Sequence, residues 1–265
     1  MQQEIDIASK GKYADVNGIK MYYEIHGEGK PLVLIHGGGS TIQTTFGRTL
    51  PMFAKNYKVI SVELQAHGHT SDRNAPETFQ QDADDVATLL KQLNISRASF
   101  IGFSNGGSTT MQIAIRHPEV VDKIVVASGA CQREGFIPGF FEGFPNATLE
   151  TMPRPLRDAF LKIDPDSAAL KNMFEKDVAR MIAFKDWSDD DLKAIKAPAL
   201  IINADKDVIT NEHAVKMSKL IPKAELMILP GTHGTYFGEI CTAVPGSKLP
   251  EMTVEMIEEF LEKEK

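Results

Sequence analysis

Six short apolar runs, each breaking into glycine or polar turn residues, restrict the fold of this chain more than any other feature. They lie at 31–36, 57–64, 98–104, 123–130, 199–205 and 225–230. A continuous apolar run of this length suits a strand buried on both faces of a parallel sheet. Helix-like stretches fall between them at 42–54, 78–93, 105–117 and 210–220, with a last one at 253–263. In 78–93, Val86, Leu89, Leu90 and Leu93 share one stripe, and the acidic residues come early, where the helix dipole favours them. Ahead of these, residues 13–25 alternate about Asn17-Gly18, a strong hairpin signal. Strand and helix alternate, so the chain is expected to be α/β: a mostly parallel eight-stranded sheet with right-handed crossovers and flanking helices.

One interval breaks the alternation. Residues 131–196 show no strand pattern. They carry an aromatic cluster, Phe136, Phe140, Phe141 and Phe144, broken by Pro138, Gly139, Gly143 and Pro145. Helical patches follow at 155–163, 166–184 and 188–195. The expected division is a core of 1–130 and 197–265, with 131–196 as a helical cap over the carboxyl edge of the sheet. The same helices packed against the side of the core are the other reading.

The 265 residues are enough for one large core, and 42% hydrophobic with 25% charged residues is the balance of an ordinary soluble globule. A formal net charge of −7 and no dense basic run argue against nucleic acid. No apolar run approaches a membrane span, and the polar start Met1-Gln-Gln-Glu-Ile-Asp-Ile has no signal-peptide core. Cys131 and Cys241 fit neither a metal site nor a disulfide framework and read as two buried free thiols. A cytoplasmic protein is the expectation, with no metal, cofactor, membrane or nucleic-acid partner. No heptad pattern indicates an oligomer.

The third run ends Phe100-Ile-Gly-Phe-Ser104-Asn-Gly-Gly. A serine here sits where a buried strand turns sharply into a helix, and small residues at 102 and 106 relieve the crowding of that turn. A serine hydroxyl needs a base, and the base an orienting acid. The run 199–205 leads into Asp205-Lys206-Asp207, and the run 225–230 into Gly231-Thr232-His233. Both emerge at the sheet edge that carries Ser104. His233 is the candidate base. Asp207 is the candidate acid, with Asp205 as an alternative that suits capping its loop. His26 and His117 read as surface residues and His213 as a helix-start residue; His36, His67 and His69 could lie near the site but suit structural hydrogen bonds better. Backbone amides at Asn105 and at Gly38, in His36-Gly37-Gly38-Gly39, are candidate donors to a developing oxyanion. The glycine run also has a phosphate-cradle reading, but no Lys-Ser/Thr follows it.

Together His36-Gly37-Gly38-Gly39, Gly102-x-Ser104-x-Gly106-Gly107, Asp205-x-Asp207 and Gly231-Thr-His233-Gly resemble the α/β-hydrolase fold family, on its lipase and esterase side. The resemblance spans roughly residues 13–262 and is weakest in the cap. Glu63-Leu-Gln-Ala-His-Gly-His-Thr looks like the family's Asp-x-Arg-Gly-His-Gly-x-Ser loop without its arginine, which puts the usual bracing ion pair in question. Serine at 104, where dehalogenases and epoxide hydrolases of this fold carry aspartate, argues against those activities. The implied activity is hydrolysis of a small-molecule carboxylic ester with a small to medium acyl group, through a Ser-His-Asp triad and an acyl-enzyme. The aromatic cluster would line the substrate pocket. Lactonase, thioesterase, perhydrolase and C–C bond hydrolase are alternatives on the same triad. A non-catalytic ligand-binding module that kept the fold is an alternative of another class.

Overall fold

The structure is a computed structural model, and it describes residues 11–264. The polar stretch 1–7 lies outside the described residues. Strand β1 (Lys12–Val16) pairs antiparallel with β2 (Ile19–His26), with Val16 opposite Ile19. The two-residue turn between them holds Asn17 at φ 42° and Gly18 at φ 89°, both in the left-handed region that matches the twist of a hairpin.

The six apolar runs become β3 (Lys30–Ile35), β4 (Tyr57–Val62), β5 (Ala98–Phe103), β6 (Val121–Ala127), β7 (Ala199–Ala204) and β8 (Ala224–Leu229). They pair in parallel, and the eight-stranded sheet runs β1-β2-β4-β3-β5-β6-β7-β8. All six residues of β5 and of β7 are buried, as strands covered on both faces must be.

Alternate residues feed two separate cores. Leu32 and Leu34 of β3, with Ile101 of β5, pack against α1 (Ile42–Phe46), α2 (Leu50–Phe53) and α9 (Leu249–Glu262). Val33 and Ile35, with Phe100, pack on the other face against α3 (Phe79–Gln92), α4 (Asn105–Arg116) and α8 (Asn211–Leu220). Each fully buried Leu, Ile or Phe contributes about 1.5–3 kcal/mol, so both layers are firmly fixed beneath the loops at the carboxyl edge.

The expected helix over 42–54 is two short ones. Gly47 closes the first, and Pro51 in the first turn of the second has no N–H to continue it. Between β6 and β7 the structure has α5 (Arg154–Ile163), α6 (Ser167–Ala183) and α7 (Asp189–Lys193), with no strand among the described residues there. Leu156 and Phe160 of α5 pack with Leu170 and Met173 of α6 in a small apolar cluster of their own. Leu192 of α7 instead joins the core beside Val126 and Ile201. No helix among the described residues is long and apolar enough to cross a membrane.

Candidate active site

Ser104 stands between the last residue of β5 and the first of α4, at φ 56° and ψ −121°. Such a backbone is strained by about 1–3 kcal/mol and persists only where its surroundings enforce it. Here the Ser104 amide donates to Ala127 O at 2.8 Å, and its carbonyl accepts from the amides of Gly107 and Ser108. A Cβ on Gly102 would lie 2.0 Å from the Gly106 carbonyl oxygen, and one on Gly106 would lie 2.2 Å from that of Ile35. Both obstacles are backbone, so neither can swing aside. Gly106→Ala is therefore expected to lose about 3 kcal/mol or more of stability in urea unfolding. A loss under 1 kcal/mol would mean that the turn is looser than this.

His233 Nε2 lies 3.0 Å from Ser104 Oγ, and His233 Nδ1 lies 2.7 Å from Asp207 Oδ1. An ionised carboxylate only accepts, so Nδ1 carries the proton and Nε2 is left to accept from the serine hydroxyl. Asp207 is buried, which opposes its charge. Hydrogen bonds from His233, from Ser128 Oγ and from the Ile209 amide overcome that and hold its pKa below the usual range. The three side chains expected to meet do meet. Asp205, the alternative acid, accepts from the Gly231 amide at 2.7 Å and so braces the turn that leads to His233.

Two residues that escaped the sequence reading complete this arrangement. Ser128, just past β6 at φ 50°, donates to Asp207 Oδ2 at 2.6 Å. Tyr236 OH is 2.5 Å from Ser128 Oγ. Since Ser128 spends its proton on Asp207, Tyr236 donates to Ser128. Burial keeps that phenol neutral.

Gly38 and Asn105 line the same cavity as Ser104 and His233. Their amides donate to no protein acceptor among the described residues. The cavity, about 350 Å³, is bounded by Phe79, Phe136, Phe140, Phe144, Met152, Leu156, Met181 and Phe184, among others. Phe141, expected in the pocket, is not part of its lining. The Arg133 guanidinium lies 3.6 Å from its ring centre, and its other contacts are with aromatic neighbours such as Phe184.

Among the described residues lining the cavity, the ionisable side chain besides His233 is Asp177 of α6. It was not foreseen. Its Oδ2 accepts from the Gly39 amide at 2.6 Å and from His67 Nε2 at 3.0 Å. Behind it Arg180 donates to Asp82 at 3.0 Å and to Glu77 at 2.5 Å.

The remaining histidines correct the expectations in part. His26 is buried, not a surface residue, and pairs with Glu24 at 2.7 Å. His213 is also buried, with Nε2 accepting from the Cys131 amide, and burial pushes its pKa down to about 4. His117 is half-buried against Asp84. Cys131 is a buried thiol but Cys241 is exposed, which overturns the reading of two buried thiols: the loop after His233 leaves it at the surface. The loop that lacks arginine is braced otherwise. His69 gives both its amide and Nδ1 to Glu63, and Gln65 Nε2 donates to Asp72 at 2.8 Å. No group of three or more His, Cys, Asp or Glu among the described residues is arranged to hold a metal ion.

A family model described as the alpha/beta hydrolase fold matches residues 30–189. The chain belongs to the α/β-hydrolase family. Among this hydrolase's relatives is the human serine hydrolase BPHL, 28% identical over 236 residues, covering 83% of this chain and 79% of that one. The 2-hydroxy-6-oxo-6-(2'-aminophenyl)hexa-2,4-dienoic acid hydrolase of Metapseudomonas resinovorans is 23% identical, covering 83% and 82%. A shorter match, 32% identical over 154 residues, is to the acetyltransferase component of the acetoin cleaving system of Cupriavidus necator. There the chain covers 41% of the relative's length. Among solved structures, a meta-cleavage product hydrolase from Pseudomonas fluorescens superposes with a TM-score of 0.77 at 24% identity, covering 95% of this chain and 97% of that one. An N-acyl homoserine lactone degrading enzyme, Est816, gives a TM-score of 0.71 at 25% identity, covering 94% and 99%.

Proposed function

We propose that this α/β-hydrolase is a serine carboxylesterase for small to medium acyl groups. The observation that carries the reading is the unbroken chain from Ser104 Oγ to His233 to Asp207 at the floor of an apolar cavity. Ser104 Oγ attacks the ester carbonyl as its proton passes to His233 Nε2. Asp207 keeps Nδ1–H in place and stabilises the imidazolium that forms. The amides of Gly38 and Asn105 receive the negative oxygen. Collapse breaks the bond to the alkoxy group, which leaves as the alcohol with the proton from His233. Water, deprotonated by the same nitrogen, then attacks the acyl-enzyme; the acid departs and Ser104 regains its proton.

The segment 131–196 serves as the cap, with Phe136, Phe140 and Phe144 walling the acyl site. Neutral esters suit this cavity better than the dienoic acid substrate named for one relative. That acid is a carboxylate at neutral pH, and no Lys or Arg is among the described residues that line the cavity to pair with it. Lactones remain the nearest competitor, since they need the same chemistry with the leaving alcohol tethered.

A series of p-nitrophenyl esters from acetate to decanoate, run beside a γ-lactone, tests this. The expected result is a kcat/KM maximum at four to eight carbons, of about 10⁴ M⁻¹s⁻¹ or more. Turnover of the lactone with none of any ester would replace the esterase reading with a lactonase one.

A further inference from the structure

Helix α6 touches the glycine loop over the serine through Asp177. Gly38 and Asp177 are close enough that a Cβ on Gly38 would lie 3.2 Å from Oδ2 and 3.3 Å from Oδ1. Oδ1 also faces Asn105 Nδ2 at 3.4 Å. The carboxylate thus touches both segments whose amides are assigned to the oxyanion. Left alone, a negative charge there would oppose the negative oxygen that those amides are to stabilise.

His67 answers that charge. Its Nδ1 faces the Gln65 carbonyl at 2.8 Å and its Nε2 faces Asp177 at 3.0 Å. Both partners only accept, and the Gly39 amide, 3.2 Å from Nε2, gives its proton to Asp177 Oδ2 at 2.6 Å, so both nitrogens carry protons and the ring is an imidazolium. Burial opposes this, but Asp177 raises its pKa to about 9. The adjacent His36 differs: its Nδ1 donates to the Gly37 carbonyl while Nε2 accepts from the Leu64 amide, which fixes it neutral. Arg180, 4.0 Å from Asp177 Oδ1, is committed to Glu77 and Asp82.

We propose that Asp177 is a positioning residue that holds the Gly37–Gly39 loop from the helix above, and that the His67 imidazolium neutralises it for catalysis. This rests on the esterase reading. Asp177 fixes the Gly39 amide and with it the direction of the Gly38 amide. His67 stays protonated below the raised pKa and loses its charge as pH rises through about 9. Above that pH the carboxylate stands uncompensated beside the oxyanion, so kcat falls while KM holds.

The test compares wild type, His67→Gln, Asp177→Asn and the double variant between pH 6 and 10. Both p-nitrophenyl butyrate turnover and the rate of Ser104 labelling by a fluorophosphonate are measured. Wild type should show the alkaline fall in kcat. His67→Gln should be about 100-fold slow at pH 7, and the double variant should recover to within about 10-fold of wild type with no alkaline limb. A purely structural pair would leave the double variant as slow as His67→Gln or slower, and that result overturns the proposal, as does an alkaline limb that survives in it. A wild type that labels at Ser104 but turns over no ester sinks the esterase reading instead, and the labelling rates then decide this one.

Discussion

Ser104→Ala is expected to lower kcat/KM for p-nitrophenyl butyrate by about 10⁴–10⁶-fold, with thermal unfolding little changed. The hydroxyl reaches His233 Nε2 at 3.0 Å, whereas the strained turn around it is held by backbone bonds that alanine retains. The residual rate should be the same in His233→Ala and in the double variant, because a nucleophile and its base act as one unit. Residual activity within about 10-fold of wild type would assign the chemistry to another group. Additive losses would mean that the two side chains act separately.

Arg180→Met is expected to have the largest effect on stability, a loss of about 3–5 kcal/mol in urea unfolding. Methionine fills much of the same volume, so the loss reports charge. The guanidinium is 3% exposed, and Glu77 and Asp82, its partners, are 0% and 1% exposed. Burial raises the pKa of both acids, and Arg180 works against that rise. Without it they must be buried bare or take up protons. Adding Glu77→Gln and Asp82→Asn to Arg180→Met should recover part of the loss, since buried charges without a partner are what destabilise. A change under 1 kcal/mol in Arg180→Met would show that the cluster does not tie α6 to the core.

The parallel sheet was legible because apolar runs at 31–36 and 98–104 have no alternation for a solvent-facing side to impose. Ser104, Asp207 and His233 were legible because each follows such a run, and parallel strands bring their ends to one edge. Ser128 lies near the end of the run 123–130, just past β6, but a serine beside a glycine carries no signal that distinguishes it from any turn.

Asp177 and Arg180 did leave a trace. Leu170, Met173, Asp177 and Met181 recur at three- and four-residue steps along α6, with Arg180 beside them. Charged residues on the apolar stripe of a helix mark a buried ion cluster. What no spacing supplies is the partner, since His67 and Asp177 are 110 positions apart. The inner wall of the cavity was misjudged at Phe141 for a related reason. Neighbouring aromatics look alike in sequence, and the Arg133 stacking that draws one of them away depends on the tertiary fold.

Mass spectrometry of the chain after treatment with a fluorophosphonate tests the central claim most directly. One adduct per chain on the peptide carrying Ser104 is the predicted result, its rate of formation about 10³-fold lower in His233→Ala. An unmodified Ser104 in wild type, or labelling as fast without the imidazole, would contradict it.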